Sequence, residues 1–216
     1  MTPTELITAA RLASNNENSS YFSDTELYSY LAFAIKESST TSFSIEAVDS
    51  SLVSVADQAD YTLPSDFVSV KRITYDGIKL RPSTFTELDK LVSAIQNTDS
   101  SGTPRFYTQW SSTLTLTPTP DTAGLVIKVY GYKIQSSITS TSTILVPEEI
   151  QHYLVDYVVY RMYLKEGDTE RASSHKQLWD DHKAAIRRWM QERKRRDGFN
   201  IVQNEDQSIN NILGKV

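Results

Sequence analysis

Hydrophobic residues change period twice along this chain, and that change limits the folds open to it. In "TELITAARLA" (4–13), Leu6, Ile7, Ala10 and Ala13 recur at helical spacing. In "TELYSYLAFAIK" (25–36), Leu27, Tyr28, Leu31, Ala34 and Ile35 do the same. From about residue 43 the pattern turns to alternation, clearest in "DFVSVKRITYDGIKL" (66–80), where Asp76-Gly77 is a strong hairpin signal. The spacing predicts strands over 43–48, 52–56, 67–75, 78–81, 105–110, 113–117 and 125–134. One helix, 84–96, is expected to interrupt them, since Phe85, Leu88, Leu91, Val92 and Ile95 share a face. Helical period returns at Pro147 and runs, with a stop at Gly167, to about 195. The expected fold class is therefore α+β: an antiparallel α-helical bundle, a β-rich insert over about 43–146, and an extended C-terminal tail. Three regions follow: helical parts 1–42 and 147–197, the inserted β module 43–146, and an arm 198–216.

The ends of the helices carry readable punctuation. Thr2, Pro3 and Glu5 make a capping box with proline at the first helical position. Ser23 and Glu26 form a second such pattern, and "ESSTTS" (37–42) is rich in residues that draw the backbone away from the helix. In the last helix, Ala172, Trp179 and Ile186 recur every seven residues, as do His175, His182 and Trp189, giving one seam along one side.

Composition narrows the function. The 216 residues contain no cysteine, which excludes disulfides, thiolate metal sites and cysteine nucleophiles. No apolar run approaches the ~18 residues a membrane span needs, and the N-terminus lacks signal-peptide character, so a soluble protein of the cytoplasm is expected, with no membrane partner. Phosphate-cradling glycine motifs and G-x-S-x-G are absent. His175 and His182 stand too far apart on a helix for the usual chelating pair and are expected to pack along the seam. Asp180-Asp181 and Glu148-Glu149 point different ways and read as solvated surface. No enzyme activity, cofactor, metal or catalytic residue is expected.

Charge is split along the chain. Residues 1–70 hold ten acids against Arg11 and Lys36, a net of −8, whereas 183–196 ("KAAIRRWMQERKRR") hold seven bases against Glu192, a net of +6. The basic run fits a protein partner with an acidic surface, a nucleic acid tracked by Lys183 and the arginines with Trp189 among them, or a solvated helix end.

The order of motifs resembles the head-to-tail adaptor (connector) proteins of tailed bacteriophages. Tyr61, Leu63, Pro64, Asp66 and Phe67 fit Y-x-L-P-x-D-[FM]; Gly102 and Pro104 fit G-x-P; Leu114, Leu116, Pro118 and Pro120 fit L-x-L-x-P-x-P. Pro147, Glu148 and Glu149 fit the start of the next helix, while Gln151 and His152 stand near the family's Tyr-His pair without matching it fully. The resemblance spans about residues 20–195 and its motifs are structural, so no active site carries over. It implies a virion protein at the head-tail interface, assembled in the host bacterial cytoplasm. There it would form a homo-oligomeric ring, twelve-subunit in such adaptors, between the portal protein and a tail tube or nozzle protein. Genomic DNA would pass through the channel without sequence-specific contact, and the helical regions would form the ring body. Under this reading the portal-docking interface comprises Arg187, Arg188, Arg193, Lys194, Arg195 and Arg196, followed in the tail by Phe199, Ile201, Val202, Ile209, Ile212 and Leu213. A tail-side or inter-subunit interface would use Tyr75, Phe106, Tyr107, Trp110 and Tyr130, about half of which are expected to fill the module's own core. The alternative is a nucleic-acid-binding protein using the basic helix 183–196.

Overall fold

The computed structural model describes residues 1–17, 20–88 and 101–196. Two compact units emerge, 1–45 with 135–216 and 46–134. In the first, α1 (Pro3–Ala13), α2 (Asp24–Ser42), α3 (Glu148–Gln151), α4 (Leu154–Glu166) and α5 (Thr169–Arg196) pack around one apolar core. In the second, eight strands form two four-stranded sheets.

The α+β class holds, but the fold is not an antiparallel helical bundle. Among the described residues there are two four-stranded sheets and, in the helical unit, five helices of very unequal length, from 4 residues in α3 to 28 in α5. Periodicity shows which face of a helix is apolar; it does not show that the helices match in length, as a bundle requires. The β-rich part is also shorter than 43–146. Phe43, at φ 53°, ends α2, and Ile45 is buried in the helical core. At the other side, Ile138, Ile144 and Val146 belong to that same core. Gln135 clasps this polar loop, donating to the Thr143 carbonyl at 2.7 Å and accepting from Leu145 N at 3.0 Å. The extended tail, 198–216, lies outside the described residues, as does most of the helix expected at 84–96, of which 85–88 are helical.

Local chemistry explains the helix ends. Thr2 and Glu5 form the full capping box. Ser23 caps α2 through Glu26 N, but the Glu26 carboxylate goes elsewhere: Lys165 donates to Oε2 and Tyr30 to Oε1, each at 2.6 Å. One acid thus ties α2 to α4. Its carboxyl is held below the usual range by Lys165 first and Tyr30 second. Tyr30 is pushed up to about 12 by burial and by Glu26. The "ESSTTS" run stays helical to Ser42 with Ser38, Ser39 and Ser42 buried, and its hydroxyls bond back to the carbonyls four residues earlier, Thr40 to Lys36 O, Thr41 to Glu37 O and Ser42 to Ser38 O, so they do not draw the backbone out of the helix. The helix expected from Pro147 breaks at His152-Tyr153 into α3 and α4, and Gly167, at φ 82°, ends α4 as expected.

In the second unit, β1 (Glu46–Val53), β8 (Val126–Lys133), β3 (Phe67–Tyr75) and β4 (Ile78–Lys79) form one sheet in that order. The other runs β2 (Asp60–Thr62), β7 (Thr113–Thr117), β6 (Phe106–Trp110), β5 (Arg81–Pro82). Strands expected at 43–48 and 52–56 are one strand, β1, whose alternation is broken by a bulge between Asp49 and Leu52. The motif residues are structural. Tyr61, Leu63, Leu114 and Leu116 are core, and the Tyr61 hydroxyl donates to Gln58 O at 2.9 Å while accepting from Val55 N at 3.1 Å, pinning the β1–β2 loop.

Two outcomes are expected from these contacts. A Cβ at Gly131, in the middle of β8, would overlap the Ser69 carbonyl oxygen of β3 and press on the Phe67 ring. Gly131→Ala should destabilise the β unit by about 1–3 kcal/mol; an unchanged melting curve would show that β3 and β8 are not this close. Glu26, with its folded pKa depressed, contributes stability that is present above its ordinary 4.5 and is lost as pH falls through the folded value. Melting temperature measured from pH 7 down to 3 should therefore fall less steeply in Glu26→Gln than in the native chain, the two curves converging at the acid end. Parallel curves would rule out the Glu26 tie.

Candidate functional site

The most unusual surface of the helical unit is the C-terminal end of α5. Its position follows from the seam beneath it. Asp168 caps the helix through Arg171 N, and Ala172, Trp179, Ile186 and Met190 are buried along one side. Trp179 is fully buried, edge-on to Tyr157 with ring centroids 5.4 Å apart. With that side fixed, the bases of 187–195 divide by helical angle. Arg187, Arg188 and Arg195 are exposed and form no ion pair among the described residues. Arg193 sits over the Trp189 ring at 5.6 Å, and Lys194 over the Phe43 ring at 5.8 Å. Arg187 and Lys194 make one seven-residue row and Arg188 and Arg195 another, each spanning about 10 Å along the axis. Arg196 closes the helix. Phe199, Ile201, Val202, Ile209, Ile212 and Leu213 lie outside the described residues.

Lys183, at the start of the basic run, is not part of this surface. It bridges Glu37 of α2 at 2.6 Å and Asp180 at 2.8 Å. Burial alone would pull its pKa down, but hydrogen bonds to Asp180 and Glu37 outweigh that and hold it up. Trp189, which a nucleic-acid reading would use for stacking, is half-buried against the helical core with Arg193 over it.

The histidine seam has a feature that sequence spacing did not show. His175 Nδ1 and His182 Nδ1 each lie 3.1 Å from an oxygen of the same residue, Asp156 of α4. The His175 contact has hydrogen-bond geometry; the His182 nitrogen is in ion-pair range but off the line of a hydrogen bond. His182 also stacks on Tyr153, which stacks on His152, with centroids 4.4 and 3.9 Å apart. The packing role expected of these histidines matches this arrangement. Asp156 was overlooked because i, i+3 and i, i+7 rules act within one helix, and this carboxylate comes from another.

In the β unit, the five aromatics separate. Tyr75 and Tyr107 are core residues, 2% and 7% exposed. Phe106 and Tyr130 are partly buried, with the Arg72 guanidinium 5.5 Å from the Tyr130 ring. Trp110, at the tip of the β6–β7 hairpin, is 72% exposed and edge-on to exposed Phe85. A second surface went unread in the sequence. Lys79, Arg81 and Arg105 surround a cavity of about 550 Å³ whose other walls include Ile78, Pro104 and Phe106. Its signal was Lys79-Leu80-Arg81, two bases flanking the buried residue at which the chain passes from one sheet to the other.

The family described as SU10 adaptor protein has a model that matches residues 1–203. The chain belongs to the SU10 adaptor protein family. It is a phage adaptor protein, a structural component of the virion, as the motif order from Tyr61 to Glu149 implied. No curated protein matches the chain. Among the described residues of this SU10-family adaptor, no helix is long and apolar enough to cross a membrane, and no group of three or more histidine or acidic side chains could hold a metal ion.

Proposed function

We propose that this adaptor is the subunit of a ring that joins the portal vertex of a phage head to the tail and lines the DNA passage. The observation that carries the reading is the family match over residues 1–203. The role is architectural, without catalysis. Twelve copies would close the ring, as the resemblance implies, and genomic DNA would pass through it without sequence-specific contact. Assembly takes place in the host cytoplasm. The helical unit forms the body, the β unit 46–134 is turned to a tail tube or nozzle protein or a neighbouring subunit, and residues 198–216 act as an arm.

The exposed rows on α5 support portal docking through this end. One or two bases satisfy a helix C-terminus, yet here Arg187, Arg188 and Arg195 all lie exposed with no ion pair among the described residues. Guanidinium groups at such spacing suit carboxylates on a facing surface, where bidentate geometry fixes register. The apolar residues of 199–213, set in an otherwise polar run, suit an extended segment laid into a groove, each buried side chain contributing about 1.5–3 kcal/mol. In the β module, Trp110 is the aromatic most available to a tail-side partner.

Two variants test the docking assignment with purified portal rings. Truncation after Asp197 should leave the melting profile unchanged and abolish binding. Arg187→Glu with Arg188→Glu should weaken binding at least tenfold, more at low salt than at high. Normal docking by both variants would refute the assignment, and a truncated chain that cannot fold would place the tail in the core instead.

A further inference from the structure

Both sheets of the β unit are charged in the same direction. In the first sheet, one edge strand is β1, which carries Glu46 and Asp49 and no base; the opposite edge strand is β4, which carries Lys79 and no acid. In the second sheet, one edge is β2 with Asp60, and the opposite edge is β5 with Arg81. The chain joins like to like. β1 leads to β2 through the loop that holds Asp57, and β4 leads to β5 through Leu80 alone. One rim of the unit is therefore acidic and the opposite rim is basic. From 46 to 60 there are four acids and no base.

The two rims also match in other ways. Asp57 and Asp60 are exposed on one, and Lys79, Arg81 and Arg105 are exposed on the other. The three bases make no ion pair among the described residues, whereas Lys71 and Arg72, on the neighbouring strand β3, lie over Tyr132 and Tyr130. Apolar side chains sit among the charges on both sides: Val48 and Val53 on the acidic rim, 59% and 49% exposed, and Ile78 on the basic rim, 61% exposed. The basic rim is concave, with the 550 Å³ cavity between its cations. Among the described residues, Asp76 on the β3–β4 turn and Glu87, bonded to Ser83 and Thr84 just past β5, are exceptions to the pattern on that side.

We infer that the basic rim of one β unit receives the acidic rim of the next copy of this chain. A two-fold axis that set the acidic rim of one copy on the basic rim of the other would have to make the reciprocal contact too, and rims at opposite edges of one unit cannot both face the same neighbour. They suit a heterologous, head-to-tail contact, the kind that closes into a ring. A phosphate backbone would leave exposed Ile78 beside charge; a second copy gives it Val48 and Val53. The contact deepens the ring reading above by naming the surfaces between subunits.

The test uses the full chain alone, by sedimentation velocity. The native chain should associate in a concentration-dependent way at low salt, and less as salt rises. Lys79→Glu with Arg81→Glu and Arg105→Glu makes both rims acidic, and Glu46→Lys with Asp49→Lys and Asp60→Lys leaves only Asp57 as an acid on the other rim and makes both rims basic. Each variant alone should be monomeric, and an equimolar mixture should associate again, since every contact between unlike copies is then complementary. Asp49→Asn with Asp60→Asn, which preserves shape, should weaken association about tenfold. Association of either reversed variant alone at the native level, a mixture that stays monomeric, or a native chain that never associates would each overturn the rim contact. Failure of the ring reading looks different: a native chain that associates rim to rim yet does not bind portal rings.

Discussion

The pairing of β1 with β8 is the constraint on which the rest of the chain depends. Glu46, the first residue of the β unit, is the partner of Tyr132, near its end, and the ladder runs on to Val53 and Val126. The first and last strands of the unit are thus hydrogen-bonded neighbours. Residues 45 and 135, both in the helical unit, are connected by a span whose ends are already together. Closing a loop of that length from an open chain would cost entropy that grows with its length. Here the sheet itself closes it, and the helical core can be built from two segments far apart in sequence. β8 pairs on its other side with β3, so the first sheet is organised around this strand. Gly131 is what lets β3 come close, and its lack of a side chain is the local requirement for the whole arrangement.

Features that depend on neighbours in sequence were legible. The Asp76-Gly77 turn has both residues at positive φ, 47° and 80°, as a two-residue hairpin needs, and it joins Tyr75 to Ile78. The capping box at Thr2, the stop at Gly167 and the strands at 67–75 and 113–117 read the same way. What failed had no local signal. β2 is three residues long, too short to show a period. The loop 135–146 looks polar because serine and threonine dominate it, yet Ile138, Ile144 and Val146 anchor it in the helical core. The helix break at His152-Tyr153 has neither glycine nor a following proline to mark it. The bundle expectation counted helices and missed that a 13-residue α4 and an 11-residue α1 cannot run the length of a 28-residue α5.

The basic surface was legible as charge and not as geometry. Seven bases stand in 183–196, but the withdrawal of Lys183 from that surface depends on Glu37, 146 residues away in sequence, and the facing of the others on the buried seam of α5. The aromatics of the β unit show the same limit. Tyr75 and Trp110 have similar chemistry, and only the sheet order tells that one completes a core and the other caps a hairpin tip. Charge on edge strands was hidden for a related reason: β1 and β4 become opposite edges only once β8 and β3 lie between them.

Asp156 has one imidazole 3.1 Å from each of its carboxylate oxygens, hydrogen-bonded at His175 and in ion-pair range at His182, and those imidazoles are seven residues apart on α5. Seven residues of an α-helix fall about 20° short of two full turns. A single carboxylate in reach of both rings therefore gauges the pitch of the helix between residues 175 and 182. Winding this stretch tighter or looser would carry one ring away from its oxygen.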